Sequence, residues 1–133
     1  MSLVTLRTLP GMKIECTHNE SGATFMAATP KMYNGSGDSF SGTDLCATSL
    51  GVCATTIMSV YARDNGMDIC GMTVELDKEM NASPRSIGGV RLVFNMPDRG
   101  YDAMQKQALE ESIRTCPICL TLKGVVQDIS FRW

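Results

Sequence analysis

The chain has 133 residues and a net charge of −2, with no block of lysines or arginines, so it lacks the basic stripe that nucleic-acid phosphates demand. Apolar residues make up 44% and charged residues 20%, so a single globular domain over residues 1–133 is expected and a disordered chain is not. A core of that size needs no disulfide staples. Residues 1–11 lack the charged start and apolar centre of a secretion signal, so the expected location is cytoplasmic.

In chain order, Met12, Ile14, Cys16 and His18 alternate with Lys13, Glu15 and Thr17, the spacing of a strand with one buried face. Asn19-Glu20-Ser21-Gly22 is turn chemistry, and residues 23–28 return as a hairpin partner. A leading strand is expected near residues 4–8. Residues 34–42 are rich in Gly and Ser but lack the Lys-Ser/Thr ending of a phosphate-binding loop, so they read as a connection.

Residues 43–65 predict a helix of roughly 34 Å, with Thr43 or Asp44 capping its start and Asn65-Gly66 ending it. No charge occurs from Leu45 to Ala62. Thr48, Ser49, Thr55, Thr56 and Ser59 are too polar for a membrane span, so no membrane is expected. A helix uncharged on every side must be covered on every side. A second copy of the same helix in a two-fold homodimer would cover it.

Strand spacing returns where Met72, Val74 and Leu76 alternate with polar neighbours, and again at Val90, Leu92, Phe94 and Met96. Asn81-Ala82-Ser83-Pro84 marks the turn between them. Residues 101–115 read as an amphipathic helix with Met104, Ala108, Leu109 and Ile113 inward and Glu110 spaced to pair with Arg114. Pro117 stops it, a short helix follows over 117–122, and Ile129, Phe131 and Trp133 alternate in a last strand. The expected class is α+β, antiparallel sheet packed on a few helices.

Six cysteines remain to be read. Cys46, Leu50, Cys53 and Ile57 share one stripe of the long helix, where thiols are ordinarily core groups. Cys46 and Cys53 are about 10.5 Å apart along the axis, too far for a disulfide while the helix holds. Helix electrostatics favour a thiolate at Cys46. Cys53 lies more than two turns in, so its activation must come from side chains across the fold or from another subunit. Cys116-Pro117-Ile118-Cys119 reads as a redox pair, as part of a zinc site short of further ligands, or as two core thiols. Pro117 at a first helical position makes Cys116 a cap, which favours thiolate chemistry there. Cys16 and Cys70 read as packing.

The runs Phe40-Ser41-Gly42-Thr43-Asp44-Leu45, Ser49-Leu50-Gly51-Val52-Cys53 and Thr56-Ile57-Met58 resemble the central-helix signature of the OsmC/organic hydroperoxide resistance family, in its OsmC-like predicted-redox branch. Thr17-His18, Thr29-Pro30, Pro84-Arg85, Thr115-Cys116-Pro117 and Phe131-Arg132-Trp133 keep that branch's order. The resemblance implies an OsmC-like fold: antiparallel sheets wrapped around long central helices in an intertwined homodimer, with sites at the subunit interface. It implies a thiol-dependent peroxidase for small organic hydroperoxides. Cys53 would be the attacking thiol and Cys116 the resolving one, joined in a disulfide that an external dithiol reduces. No metal or organic cofactor is implied. Where the family's peroxidases carry a Glu holding an activating Arg, Asp44 stands nearest to the Glu. Lys31 or Arg63 would have to serve for the Arg. His18 would either touch the site or be a satisfied core histidine. The alternative is a dimeric stress protein of the same fold that binds a small ligand or does redox chemistry without peroxide turnover.

Overall fold

In a computed structural model, which describes residues 2–133, the chain forms two compact units whose boundary falls after Leu45. The first unit is a three-stranded antiparallel sheet of β1 (Val4–Leu9), β2 (Lys13–His18) and β3 (Thr24–Ala28), in that order. Its registers pair Val4 with His18 and Lys13 with Ala28. The alternation of β2 turns Cys16 inward, on the face it shares with the buried Ala27 of β3, and Ala28 is buried as well. The expected connection over 34–42 is anchored by backbone: Ala28 N–H donates to Phe40 O, and Gly37 N–H donates to Thr29 O. Gly35 is obligatory in it, because a Cβ there would sit 2.0 Å from the Thr29 carbonyl oxygen.

Helix α1 (Gly42–Asp64) begins one residue earlier than expected, and its cap is Ser41. Ser41 Oγ accepts from Asp44 N–H at 3.2 Å, while Asp44 Oδ2 accepts from Ser41 N–H at 2.9 Å. That reciprocal pair is a capping box in which Asp44 fills the third helical position and not the cap itself. At the other end Met67 N–H closes onto Ala62 O, with Gly66 at φ +67, the stop that Asn65-Gly66 predicts.

The second unit, from Cys46 to Trp133, packs the body of α1 on a second sheet. Small residues line its inner face: Ala47, Gly51, Ala54 and Ala62 are buried there with Leu50 and Met58. They meet Val90, Leu92 and Phe94 of the sheet and Leu109, Ile113 and Cys116 beyond it. Gly51 sets the approach, because a Cβ there would meet Leu76 Cδ1 at 3.2 Å and Leu92 Cδ2 at 3.6 Å. The outer face is a different surface. Val52 is 60% and Val60 40% exposed, and Thr56 and Ser59 lie between them. By length and composition α1 is the one helix among the described residues apolar enough to cross a membrane, a test that a core helix also passes.

The sheet itself is β4 (Thr73–Ala82), β5 (Arg85–Asn95) and β6 (Val126–Arg132). β4 and β5 form a long hairpin closed at Ser83-Pro84, with a bulge at Glu79/Met80. β6 pairs parallel to β5, Gly89 with Val126 through Asn95 with Arg132, so the sheet is mixed and not purely antiparallel. The cause is the connection: two helices intervene, and a helical crossover returns the chain in the direction it left. These are α2 (Ala103–Ser112), continued by a 3-10 turn over Ile113–Thr115, and α3 (Pro117–Thr121). Asp102 caps α2 in a full capping box with Gln105. Met104, expected inward, is 81% exposed in the first turn, while Leu109 and Ile113 carry the burial. Glu110 accepts from Trp133 Nε1 at 2.8 Å, a partner different from the Arg114 that its spacing suggested. Phe131 stacks between Phe94 and Trp133 at centroid distances of 5.0 and 6.3 Å, and Tyr101 meets Trp133 edge-on. The class is α+β, as expected.

Candidate functional site

Two distant parts of the sequence deliver thiols to one place in the second unit. Cys53 flanks the buried stripe of α1 and packs partly buried against the core. Cys116 is fully buried, at 0% exposure, and is the N-cap of α3 with Pro117 at the first helical position, as the sequence suggested. Cys53 packs against the buried cluster that contains Cys116, and each thiol alters the acidity of the other. Cys119, one turn on, is half-buried and also alters the acidity of Cys116, and its own Sγ lies 3.8 Å from Ile113 O. Gln127 Nε2 holds this corner to β6, donating to Cys119 O at 2.9 Å and to Leu122 O at 3.0 Å.

The three thiols differ in acidity. Burial pushes the Cys53 thiol up, partly offset by the Ile118 amide, and the neighbouring Cys116 pushes it further. No cation of this unit lowers it. Burial also raises Cys116, but the Cys119 amide, the Cys53 and Cys119 thiols and the Ile118 amide together outweigh it and hold this thiol below its ordinary value. The Cys116 sulfur makes no conventional side-chain cap; these amides act on it as nearby dipoles. Burial first, then the charge on Cys116, pushes Cys119 up to about 12. Of the three thiols, Cys116 is thus the one whose surroundings favour ionisation.

A groove of about 410 Å³ lies between the C-terminal half of α1 and the end of α2, lined by Ile57, Val60, Tyr61, Asp64, Asn65, Glu111, Ser112 and Thr115, and neither Cys53 nor Cys116 is part of its wall.

The remaining candidates fall elsewhere. Arg63 is exposed and pairs with its neighbour Asp64 at 3.0 Å. Lys31, in the first unit, is exposed and starts a 3-10 turn with its stem against Gly37. His18 is exposed at the hairpin end, with Nδ1 2.6 Å from Ser21 Oγ, so it is not a core histidine. Asp44 is committed to the helix cap. Cys46 and Cys70, read as packing, are both exposed. The stripe containing Cys46 missed because the buried face runs through Ala47 and Ala54, a rotation that small residues do not announce. Cys16 is buried, as read. Among the described residues no group of three or more His, Cys, Asp or Glu is arranged to hold a metal ion. The residue whose role sequence reading underrated is Cys119; the Cys-x-x-Cys spacing was the signal for it.

A family model described as "OsmC-like protein" matches residues 35–129. Among solved structures, a Psychrobacter arcticus 273-4 protein named for osmotic stress induction and a detoxification response is 28% identical and superposes with a TM-score of 0.93, covering 99% of this chain and 96% of its own. An organic hydroperoxide resistance protein OsmC from Legionella pneumophila is 16% identical with a TM-score of 0.74, covering 100% and 98%. The organic hydroperoxide resistance protein OhrB of Bacillus subtilis is 17% identical with a TM-score of 0.64, covering 97% of each. The last two share the fold. No curated protein matches the sequence.

Proposed function

Because this chain belongs to the OsmC-like protein family, we propose that it is a thiol-dependent peroxidase that reduces organic hydroperoxides in defence against oxidative stress. The observation that carries this reading is the contact between a half-exposed Cys53 and a buried, more acidic Cys116. Access supports the roles. A peroxide can reach Cys53, while Cys116 is shut away from solvent. Cys116 as thiolate takes the proton from Cys53 S–H, and the Cys53 thiolate attacks the terminal peroxide oxygen. The O–O bond breaks, and the departing alkoxide takes that proton back from Cys116 and leaves as the alcohol. Cys53 is now a sulfenic acid. The Cys116 thiolate attacks its sulfur, the S–O bond breaks, and hydroxide leaves to be protonated by solvent. An external dithiol reduces the resulting Cys53–Cys116 disulfide by exchange. The scheme uses no metal or organic cofactor.

The same reading makes the working form a homodimer. The uncharged outer face of α1, with Val52 and Val60 in the open, supports this. Asp44, Lys31, Arg63 and His18 enter this reading only as positioning or pocket groups supplied in the dimer. The proposed location is cytoplasmic, without nucleic-acid or membrane partners. The test is consumption of cumene or tert-butyl hydroperoxide in the presence of a dithiol. Turnover is lost in Cys53→Ser, and unchanged turnover in that variant refutes the proposal.

One observation favours a second reading, a dimeric stress protein that binds a small ligand without turning over peroxide: burial keeps Cys53 protonated, and no cation of its unit counters this. Intact mass after one equivalent of peroxide separates the two. Loss of two protons mapped to Cys53 and Cys116 supports the peroxidase; scattered methionine oxidation supports the ligand-binding protein.

A further inference from the structure

We propose that Cys119 is the third member of a thiol relay, which moves the disulfide from Cys53–Cys116 to Cys116–Cys119 and so returns Cys53 to its reduced state. The proposal rests on the peroxidase reading above. Its basis is geometric: Cys53 of α1 and Cys119 of α3 both pack against the buried cluster that holds Cys116, and Cys116 caps the helix that carries Cys119, so it has two thiols to choose from and bonds to only one at a time. Cys119 lies three residues beyond Cys116, which caps the short helix with non-helical backbone, so a local shift at the cap can bring the two sulfurs to bonding distance.

Access gives the relay its direction. In the Cys53–Cys116 disulfide the Cys116 sulfur stays buried, so an external dithiol can attack only the Cys53 sulfur, whereas Cys119 is already placed to attack Cys116 from within. The Cys119 thiolate attacks the Cys116 sulfur, the Cys53–Cys116 bond breaks, and Cys53 leaves as thiolate and takes up the proton that Cys119 gave up. No outside oxidant or reductant enters the step. The new disulfide ends on the half-exposed Cys119 sulfur, where a reductant can reach it.

Timing is built in. While Cys116 is a thiolate, its charge helps to hold Cys119 protonated and inert. Once Cys116 is in a disulfide, that charge is gone and Cys119 becomes easier to ionise. Cys119 is thus silent in the reduced protein and is released by oxidation of its neighbour.

Trypsin leaves Cys53, together with Cys46, in peptide 32–63 and both Cys116 and Cys119 in peptide 115–123, so the two disulfides are told apart by mass and Cys53 from Cys46 by fragmentation. The reduced full-length protein, freed of reductant, is mixed with one equivalent of tert-butyl hydroperoxide and trapped with a thiol alkylator at increasing times. The expected course is a cross-link between the two peptides that decays as peptide 115–123 becomes two protons lighter and Cys53 regains alkylation. In Cys119→Ser the cross-link persists. In Cys53→Ser the lighter 115–123 peptide does not form. A persistent cross-link in the unaltered protein overturns the relay and leaves the peroxidase standing. Formation of the lighter peptide in Cys53→Ser at the normal rate overturns the relay as well, because Cys116 and Cys119 would then be oxidised directly. Absence of both products overturns the relay and the peroxidase together.

Discussion

Gly51→Val tests how closely α1 approaches its sheet, and with it the placement of Cys53 two residues on. The bare Cβ already stands 3.2 Å from Leu76 Cδ1 and 3.6 Å from Leu92 Cδ2. Alanine gains about 1 kcal/mol of helix propensity over glycine. It asks only that the end of the half-buried Leu76 side chain give way by a few tenths of an ångström. These effects nearly cancel, so Gly51→Ala melts within roughly 4 °C of the unaltered protein. Valine adds two methyl groups that Leu92, fully buried, cannot evade. Overpacking of this kind costs about 1–3 kcal/mol, against a propensity gain of only about 0.4 kcal/mol. With an unfolding entropy of roughly 0.28 kcal/mol/K for 133 residues, a net loss of about 1.6 kcal/mol lowers Tm by about 6 °C. The assay is thermal unfolding by circular dichroism at fixed protein concentration, with both variants beside the parent. A Gly51→Val protein that melts at or above the parent refutes the close contact.

Leu92→Ala, at a fully buried position of the same contact, costs about 2–5 kcal/mol in chemical denaturation, by lost burial plus a cavity. Asp102→Ala removes the capping box of α2 and costs about 1 kcal/mol, and Asp102→Asn recovers most of it. Alkaline stability reports on Cys119. Its folded value of about 12 lies above its ordinary 9.0, so between those pH values the unfolded chain has released the proton and the folded one has kept it. Stability from this group is therefore whole below pH 9 and falls as pH rises. Cys119→Ser flattens that decline in urea titrations at pH 8 to 10.5; an equal decline in both proteins contradicts the assigned burial. Formation of the proposed Cys53–Cys116 disulfide closes a loop of more than sixty residues and raises stability by about 4 kcal/mol in the chain-entropy picture, measurable as a higher denaturant midpoint of the oxidised protein.

Much of this architecture is legible in the residues because burial leaves a period. The alternation at Val90, Leu92 and Phe94 gave β5, and the uncharged run to Ala62 gave α1 with its stop at Gly66. Cys116 as a cap followed from Pro117, a local rule that needs no tertiary knowledge. What failed depended on partners distant in sequence or on residues too small to show a side. Nothing in residues 126–132 says that they pair parallel to β5; that follows from two helices intervening, one of them only five residues long. Cys46 and Ala47 are equally acceptable in a core, so the sequence could not say which of them faces it. Ser41 was passed over as a cap because Thr43 and Asp44 are as suitable chemically, and Asp44 contributes from the opposite side of the same motif. For the thiols, spacing located the cluster but not its acidity, which is decided by the amides of Ile118 and Cys119 and by burial.

The lone tryptophan closes β6 over α2, with its indole N–H on Glu110 and the Lys106 ammonium 5.6 Å from its ring centre. It thereby makes an optical probe with a restricted field of view. Its emission follows the docking of the last strand onto the helix that leads to Cys116, while the N-terminal sheet, which holds no tryptophan, stays dark to it. A fluorescence melt and a circular-dichroism melt of this protein therefore do not measure the same event, and any gap between their midpoints reads directly as independent loosening of one unit before the other.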